Sequence, residues 1–198
     1  MTRVAKLVCG LCLVAALCGC STVRESTPPR TATEELLLSA AVNRALAGQR
    51  LAWLEGKKTF LDDKYFEGYD KGHALGAIRE LLSANGALLV NSQPEAQVVV
   101  EARCRVLSMD NSSFLIGIPT LAIPLSLTTT VPTPEVALYK RKRADTLAEF
   151  ALFAYDRASG RYLQSVRPMR GRAHLHRFTL LVVISWKKTD VPELKHMP

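Results

Sequence analysis

Between Asp110 and Glu135 the chain runs for 24 residues without a charge, and prolines punctuate the run at Pro119, Pro124, Pro132 and Pro134. Length alone would allow a membrane helix of about 20 residues. Proline removes a backbone donor and disfavours helix in the residue before it, so the run argues for extended chain instead. Its apolar side chains, Phe114, Leu115, Ile116, Ile118, Leu121, Ile123 and Leu125, then need cover, because a large exposed apolar patch usually marks a contact. Three kinds of cover are open. The segment can fold over an edge of its own sheet and join the core, form a contact between subunits, or dip into a membrane as a loop or hairpin. Its alternation is too imperfect for a convincing barrel strand.

The N-terminus carries an address. Arg3 and Lys6 precede an apolar stretch from Leu7 to Leu17, too short to cross a hydrocarbon core of about 30 Å as a helix and of the form of a secretory signal. Leu17-Cys18-Gly19-Cys20 has the pattern of a bacterial lipobox, with residues 1–19 as the signal and Cys20 as the lipidated first residue. Cys18 departs from the usual residue at its position but is close to Ser and Ala in size. The competing cut, an ordinary A-x-A-like site, finds only Ala15 and Ala16. One acyl chain holds a protein marginally, while two or three anchor it stably. In enterobacterial lipoproteins, which this signal resembles, an aspartate after the cysteine marks retention at the inner membrane; Ser21 stands there instead, and the resemblance implies the periplasmic face of the outer membrane.

Cysteine use agrees. Of five cysteines, Cys9, Cys12 and Cys18 would leave with the signal and lipid would consume Cys20, leaving Cys104 alone and expected to be buried. Removing 19 of the 198 residues leaves 179, enough for one domain over residues 32–189. The formal charge of +8 loses Arg3 and Lys6, giving about +6. A basic surface in that compartment points to acidic lipid headgroups, lipopolysaccharide phosphates or cell-wall polymers rather than nucleic acid, or to a solvated face that keeps the chain soluble.

Periodicity lays out the domain. Residues 20–31, with Pro28-Pro29, read as an extended tether. Thr31-x-x-Glu34 is a capping box opening a helix from Ala32 to Ala47, with Leu38, Ala41, Val42, Ala45 and Leu46 on its inner face. A short strand is expected from Lys58 to Asp62, a second helix from His73 to Ala84, and a strand from Ala87 to Val90. Together these make a βαβ unit with parallel strands. Gln97 to Leu107 alternates, with Val98, Val100, Ala102, Cys104 and Val106 facing the core. Further strands are expected over 136–143, 146–156 and 161–166, the last two joined by a hairpin at Arg157–Gly160, and over Arg177 to Lys187 through Phe178, Leu180, Val182 and Ile184. A tail, 190–198, follows. The expected fold is α/β (α+β), a mixed sheet of about five to seven strands with an N-terminal helix and a βαβ unit, helices packed on the sheet.

Chemistry is sparse. Asp62, Asp63, Glu67 and Asp70 cluster at a strand end, where carboxylates bind cations or do acid-base work. Their spacing matches no calcium loop, and a solvated loop is the plainer reading. His174-x-His176 could hold zinc or copper but has no evident third ligand. No glycine-rich phosphate loop or nucleophile elbow occurs. The stronger candidates are Lys140, Arg141, Lys142 and Arg143, with Arg170 and Arg172 and nearby Arg167 and Arg177, as contacts for anionic ligands. Alternation splits the first four over both faces of a strand. No enzyme, metal site or cofactor is expected.

Pro28-Pro-Arg-Thr-Ala-Thr-Glu-Glu-Leu-Leu-Leu-Ser39, Phe60-Leu-Asp62, Tyr65-Phe-Glu-Gly-Tyr-Asp-Lys-Gly72, Gly117-Ile-Pro119 and Thr133-Pro-Glu-Val-Ala-Leu-Tyr-Lys140 resemble a family of uncharacterised bacterial lipoproteins. That resemblance implies an outer-membrane lipoprotein of no known activity. In element order the chain is also distantly similar to the periplasmic domain of curli-secretion-channel lipoproteins, where membrane hairpins and ring assembly make a pore. The expected function is therefore non-enzymatic, in envelope assembly or as an accessory subunit of a larger complex. Its partners would be the membrane, through the anchor, and a second copy or another envelope protein. The alternative is a binding module for anionic lipid or glycan.

Overall fold

The computed structural model describes residues 30–68, 70–124 and 130–197. The expected signal, the lipidation residue Cys20, most of the tether and Leu125 lie outside the described residues.

Helix α1 spans Ala32–Leu46 and begins directly after Thr31, with Glu34 and Glu35 in its first turn and Arg44 in its last, the order the helix dipole favours. Strand β1 (Lys58–Asp62), helix α2 (Lys71–Ala84) and strand β2 (Leu88–Leu89) form the βαβ unit, with β1 and β2 parallel. Asn85 ends α2 and ties it to the preceding loop: its Oδ1 accepts the Leu51 N–H at 2.7 Å and its Nδ2 donates to the Leu81 carbonyl at 2.9 Å.

Three long strands follow, β3 (Val98–Ile118), β6 (Val136–Asp156) and β7 (Tyr162–Leu180), then β8 (Ile184–Thr189). A small hairpin of β4 (Ala122–Pro124) and β5 (Thr130–Pro132) sits between β3 and β6. The main sheet has six strands in the order β2-β1-β3-β6-β7-β8, parallel across β2, β1 and β3 and antiparallel from β3 onward. The sheet is mixed, as expected, but the balance is mostly β. Segments that read as separate strands, 136–143 with 146–156 and 161–166 with part of 177–187, are continuous.

The core lies under the inner part of this sheet. Leu37, Leu38, Ala41, Val42, Ala45 and Leu46 of α1 and Ala74, Ile78 and Leu82 of α2 meet Val98, Val100, Ala102, Phe150, Leu152 and Ala154. Phe66 stacks on Phe150 with centroids 5.8 Å apart. Helix α1 approaches β7 so closely at Gly171 that a Cβ there would stand 2.0 Å from the Ala41 carbonyl oxygen. Only glycine admits that approach.

Three expectations change. A bulge at Arg105 shifts the register between Cys104 and Val106, so Val106 pairs with Glu149 on the far face while Leu107 joins the core; one extra residue flips every side chain beyond it. The long strand expected over 177–187 instead breaks at Leu181–Val183 into β7 and β8. The expected tail packs: Val191 and Leu194, the latter in the short helix α3 (Glu193–His196), are buried in the core.

Candidate interaction surface

Beyond Asn111, Ala144 and Leu175, the last row to touch the core, strands β3, β6 and β7 run on, joined at their outer side by β8. A strand of 21 residues is about 70 Å long at the usual rise, far longer than a core needs. Cross-strand partners share a face, so the register defines what each face of this projecting end presents. On the face away from α1, one row across four strands reads Phe114, Arg141, Phe178, Trp186, and the next reads Ile116, Tyr139, Leu180, Ile184. Phe178 and Trp186 stack at 5.3 Å, and Phe114 meets Tyr139 edge-on at 6.2 Å. The α1-side face carries Lys140, Lys142, Arg177 and Thr179.

The end is apolar and open to solvent. Ile116, Ile118, Leu121, Ile123, Leu138 and Trp186 are each about half exposed. At the tip, Leu181 and Val182 have φ of 49° and 67°, a region costly for residues with a Cβ and most of all for a β-branched one. The turn is held by N–H donors of Leu181 and Val182 to the Leu138 and Ala137 carbonyls, both at 2.9 Å. Val183 beside it is 81% exposed. A hairpin turn here would ordinarily use Asn-Gly; this one shows water a run of aliphatic side chains.

Of the segment read from sequence, Phe114, Ile116, Ile118, Leu121 and Ile123 are exposed and Leu115 is half-buried. Folding back into the core is therefore not what these residues do. Gly117 has φ of +148°, and a Cβ there would meet the Val136 carbonyl oxygen at 2.0 Å, so β3 and β6 approach each other at a point where only glycine fits.

The basic candidates separate into two places. Lys140 and Lys142 lie with Arg177 in an open cleft of about 280 Å3, also lined by Glu135, Ala137, Thr179 and Val182; Lys140 is ion-paired to Glu135. Arg141 and Arg143 take the aromatic face, and the Arg143 Nε is buried without a hydrogen-bond partner in the protein. Arg170 and Arg172 belong to the body. Arg170 and Arg105 both pair with the buried Glu149 carboxylate at 2.6 Å, and the Arg172 backbone carbonyl accepts from Arg44 at 2.7 Å.

The other motifs are absorbed by structure. Lys71 donates to the Asp63 carboxylate at 2.8 Å, and this hydrogen bond holds that carboxyl below its ordinary value; Asp62 accepts the Lys64 N–H. His174 and His176 stand 5.0 Å apart, the first paired with Asp190 at 3.2 Å and the second with Asp145 at 3.1 Å. Burial alone would raise the Asp190 carboxyl, but the His174 N–H and ring and the Arg44 guanidinium outweigh it and hold it low. Cys104, expected to be buried, is half-buried with its Sγ against Gly68, and burial pushes its thiol up. Among the described residues no group of three His, Cys, Asp or Glu could hold a metal, and no helix is long and apolar enough to cross a membrane.

Sequence reading missed Tyr139, Phe178, Leu180 and Trp186 as members of this surface. Their period-two spacing was visible, but the turn that folds β8 back carries no turn residue. Among curated proteins no match to the chain is found. A family of unknown function, DUF6655, matches residues 14–169, and the chain belongs to that family.

Proposed function

We propose that this is a non-enzymatic, lipid-anchored protein of the bacterial envelope, held by Cys20 at the outer membrane, that docks its projecting end onto a membrane surface rich in anionic lipid. The observation carrying this reading is that the apolar tip and the cationic cleft occupy one end of the sheet. Burying a large aliphatic side chain is worth about 1.5–3 kcal/mol when complete, and the tip offers Ile118, Leu181, Val182, Val183 and Ile184, each well exposed. A Lys or Arg near an anionic surface adds about 1 kcal/mol, and Lys142 and Arg177 are placed to supply it, beside Lys140, whose charge Glu135 offsets. Accessory work in envelope assembly then follows from holding the body at a set distance from lipid.

The test uses Cys20→Ser protein, in which the sheet acts without the anchor. It should float with vesicles containing anionic lipid and detach as salt rises. The triple change Lys140→Ser, Lys142→Ser, Arg177→Ser should weaken binding by about tenfold or more. Equal binding to purely zwitterionic vesicles, or no effect of the triple change, would remove the reading. Acyl labelling of the wild-type chain, lost in Cys20→Ser, checks the anchor separately.

A further inference from the structure

We infer that the outer edge of β3 is a pairing site for β8 of a second copy of this chain. Strand β1 covers β3 only across Val98–Glu101, so from Ala102 to Ile118 that edge pairs with no strand among the described residues. Natural sheets protect such edges with lysine, proline, bulges or brevity. Here the bulge at Arg105 protects only the inner part. Residues 111–118 contain no charge and no proline, and the second register shift, at Ile116/Gly117, puts its extra residue, Leu138, on β6 rather than on β3. The outer edge of β8 also pairs with no strand among the described residues, though it carries Lys187 and Lys188 and touches α3.

The two edges fit each other. Four antiparallel strands make an even repeat, so β8 of one copy beside β3 of the next is again antiparallel. A level pairing sets Ile184 beside Ile116 and Trp186 beside Phe114, continuing both apolar rows across the junction, an arrangement that stabilises antiparallel pairs. Lys188 meets an uncharged edge, while the Lys187 ammonium stays with the Met197 carbonyl of its own chain. Two β3 edges could also pair with each other, but antiparallel pairing of 111–118 with itself would point the two bodies in opposite directions. Preferring β8 thus rests on the membrane reading, in which all bodies lie on one side. Such a contact is head-to-tail and leaves one β3 edge and one β8 edge free, so it repeats.

Two differently tagged full-length copies are expressed together, one carrying a photoreactive benzophenone side chain at Lys187 or at Ser113, and irradiated in their membrane. The expected result is a ladder of cross-linked species. The probe at position 187 should map into residues 111–118 of the other tagged copy, and the probe at 113 into 184–189. Ser112→Lys, which places a cation on the open edge next to the incoming Lys188, should reduce the yield at least fivefold while far-ultraviolet circular dichroism stays unchanged. Cross-links confined to one copy, joining 113 to the β3 of the other copy, or joining only a different protein would overturn the pairing, as would a yield indifferent to Ser112→Lys. Failure of vesicle binding with the 187-to-β3 cross-link intact would remove the membrane reading and leave the pairing standing.

Discussion

The inner and outer parts of β3, β6 and β7 share one hydrogen-bonded ladder and yet are different materials. Inside, one face lies under α1, and the rows Cys104, Phe150, Met169 and Leu107, Ala148, Gly171 are drawn from small or close-fitting residues. Outside, the rows hold Phe114, Tyr139, Phe178, Leu180 and Trp186, large side chains that meet in the pairs Phe114–Tyr139 and Phe178–Trp186. One antiparallel ladder, bulged in both parts, runs through them, so it does not account for the contrast. What differs is whether the apolar surface already has a partner within the chain. The comparison therefore predicts that stability resides inside and binding outside.

The sharpest way to break it is to remove Phe150, fully buried and stacked on Phe66. Phe150→Ala should cost about 4 kcal/mol, read as a shift of the urea midpoint in the Cys20→Ser protein. Gly171→Ala should follow at about 3 kcal/mol, because the new methyl must push α1 off the sheet. If either costs less than a change in the outer rows, the division of labour is wrong.

Glu149 tests the polar part of the body. It is 3% exposed and accepts from Arg105 and Arg170, both more than half exposed. Neutralising it leaves two guanidiniums that can rehydrate, so Glu149→Gln should cost about 2 kcal/mol, below the full penalty for orphaning a buried charge. Arg170, an anionic-ligand candidate by sequence, would then owe its place to this pair.

Much of the body was legible from sequence, because local signals and the final contacts agree there. The heptad-like spacing of Leu38, Ala41, Val42 and Ala45 and the alternation of Val98, Val100 and Ala102 each point to the same core. The outer end was legible only as an anomaly. Ser108 to Ser113 breaks the apolar alternation, so β3 read as ending at Leu107, although β6 carries the ladder on to Ile118. Strand pairing is a non-local fact, and neither the Arg105 bulge nor a turn made of Leu181 and Val182 has a local signature. The apolar segment and the basic run read as two separate features because the register that joins them, Phe114 opposite Arg141 and Leu115 opposite Lys140, cannot be seen in either stretch alone.

Where body and projection meet, Asp190 joins α1 to β7: its carboxylate accepts the His174 N–H at 2.9 Å and Arg44 at 2.6 Å. A carboxyl held below its ordinary value adds stability above its unfolded value, about 3.9, and loses it as pH falls through the lower folded value. Asp190→Asn should therefore cost about 1.5 kcal/mol at pH 7, reduced by solvent screening of a partly exposed group. The gap to wild type should narrow as pH falls below the unfolded value and close only below the lower folded one. A gap independent of pH would mean that the charge of Asp190 is not what holds this junction.

The smallest effect has the opposite sign and separates the two regions most cleanly. Leu181 and Val182 hold positive φ at the tip, a conformation that Asn and Gly adopt with little strain. Replacing them with Leu181→Asn and Val182→Gly should relieve strain and raise stability by about 1 kcal/mol, although Val182→Gly also frees the unfolded chain and trims the gain. Two exposed aliphatic side chains leave the tip at the same time, so flotation with anionic vesicles should fall several-fold. A more stable protein that binds less would show that the strained aliphatic turn is kept for its surface and not for the fold. A more stable protein that binds as well would move the contact inward, to the aromatic rows of Phe178 and Trp186.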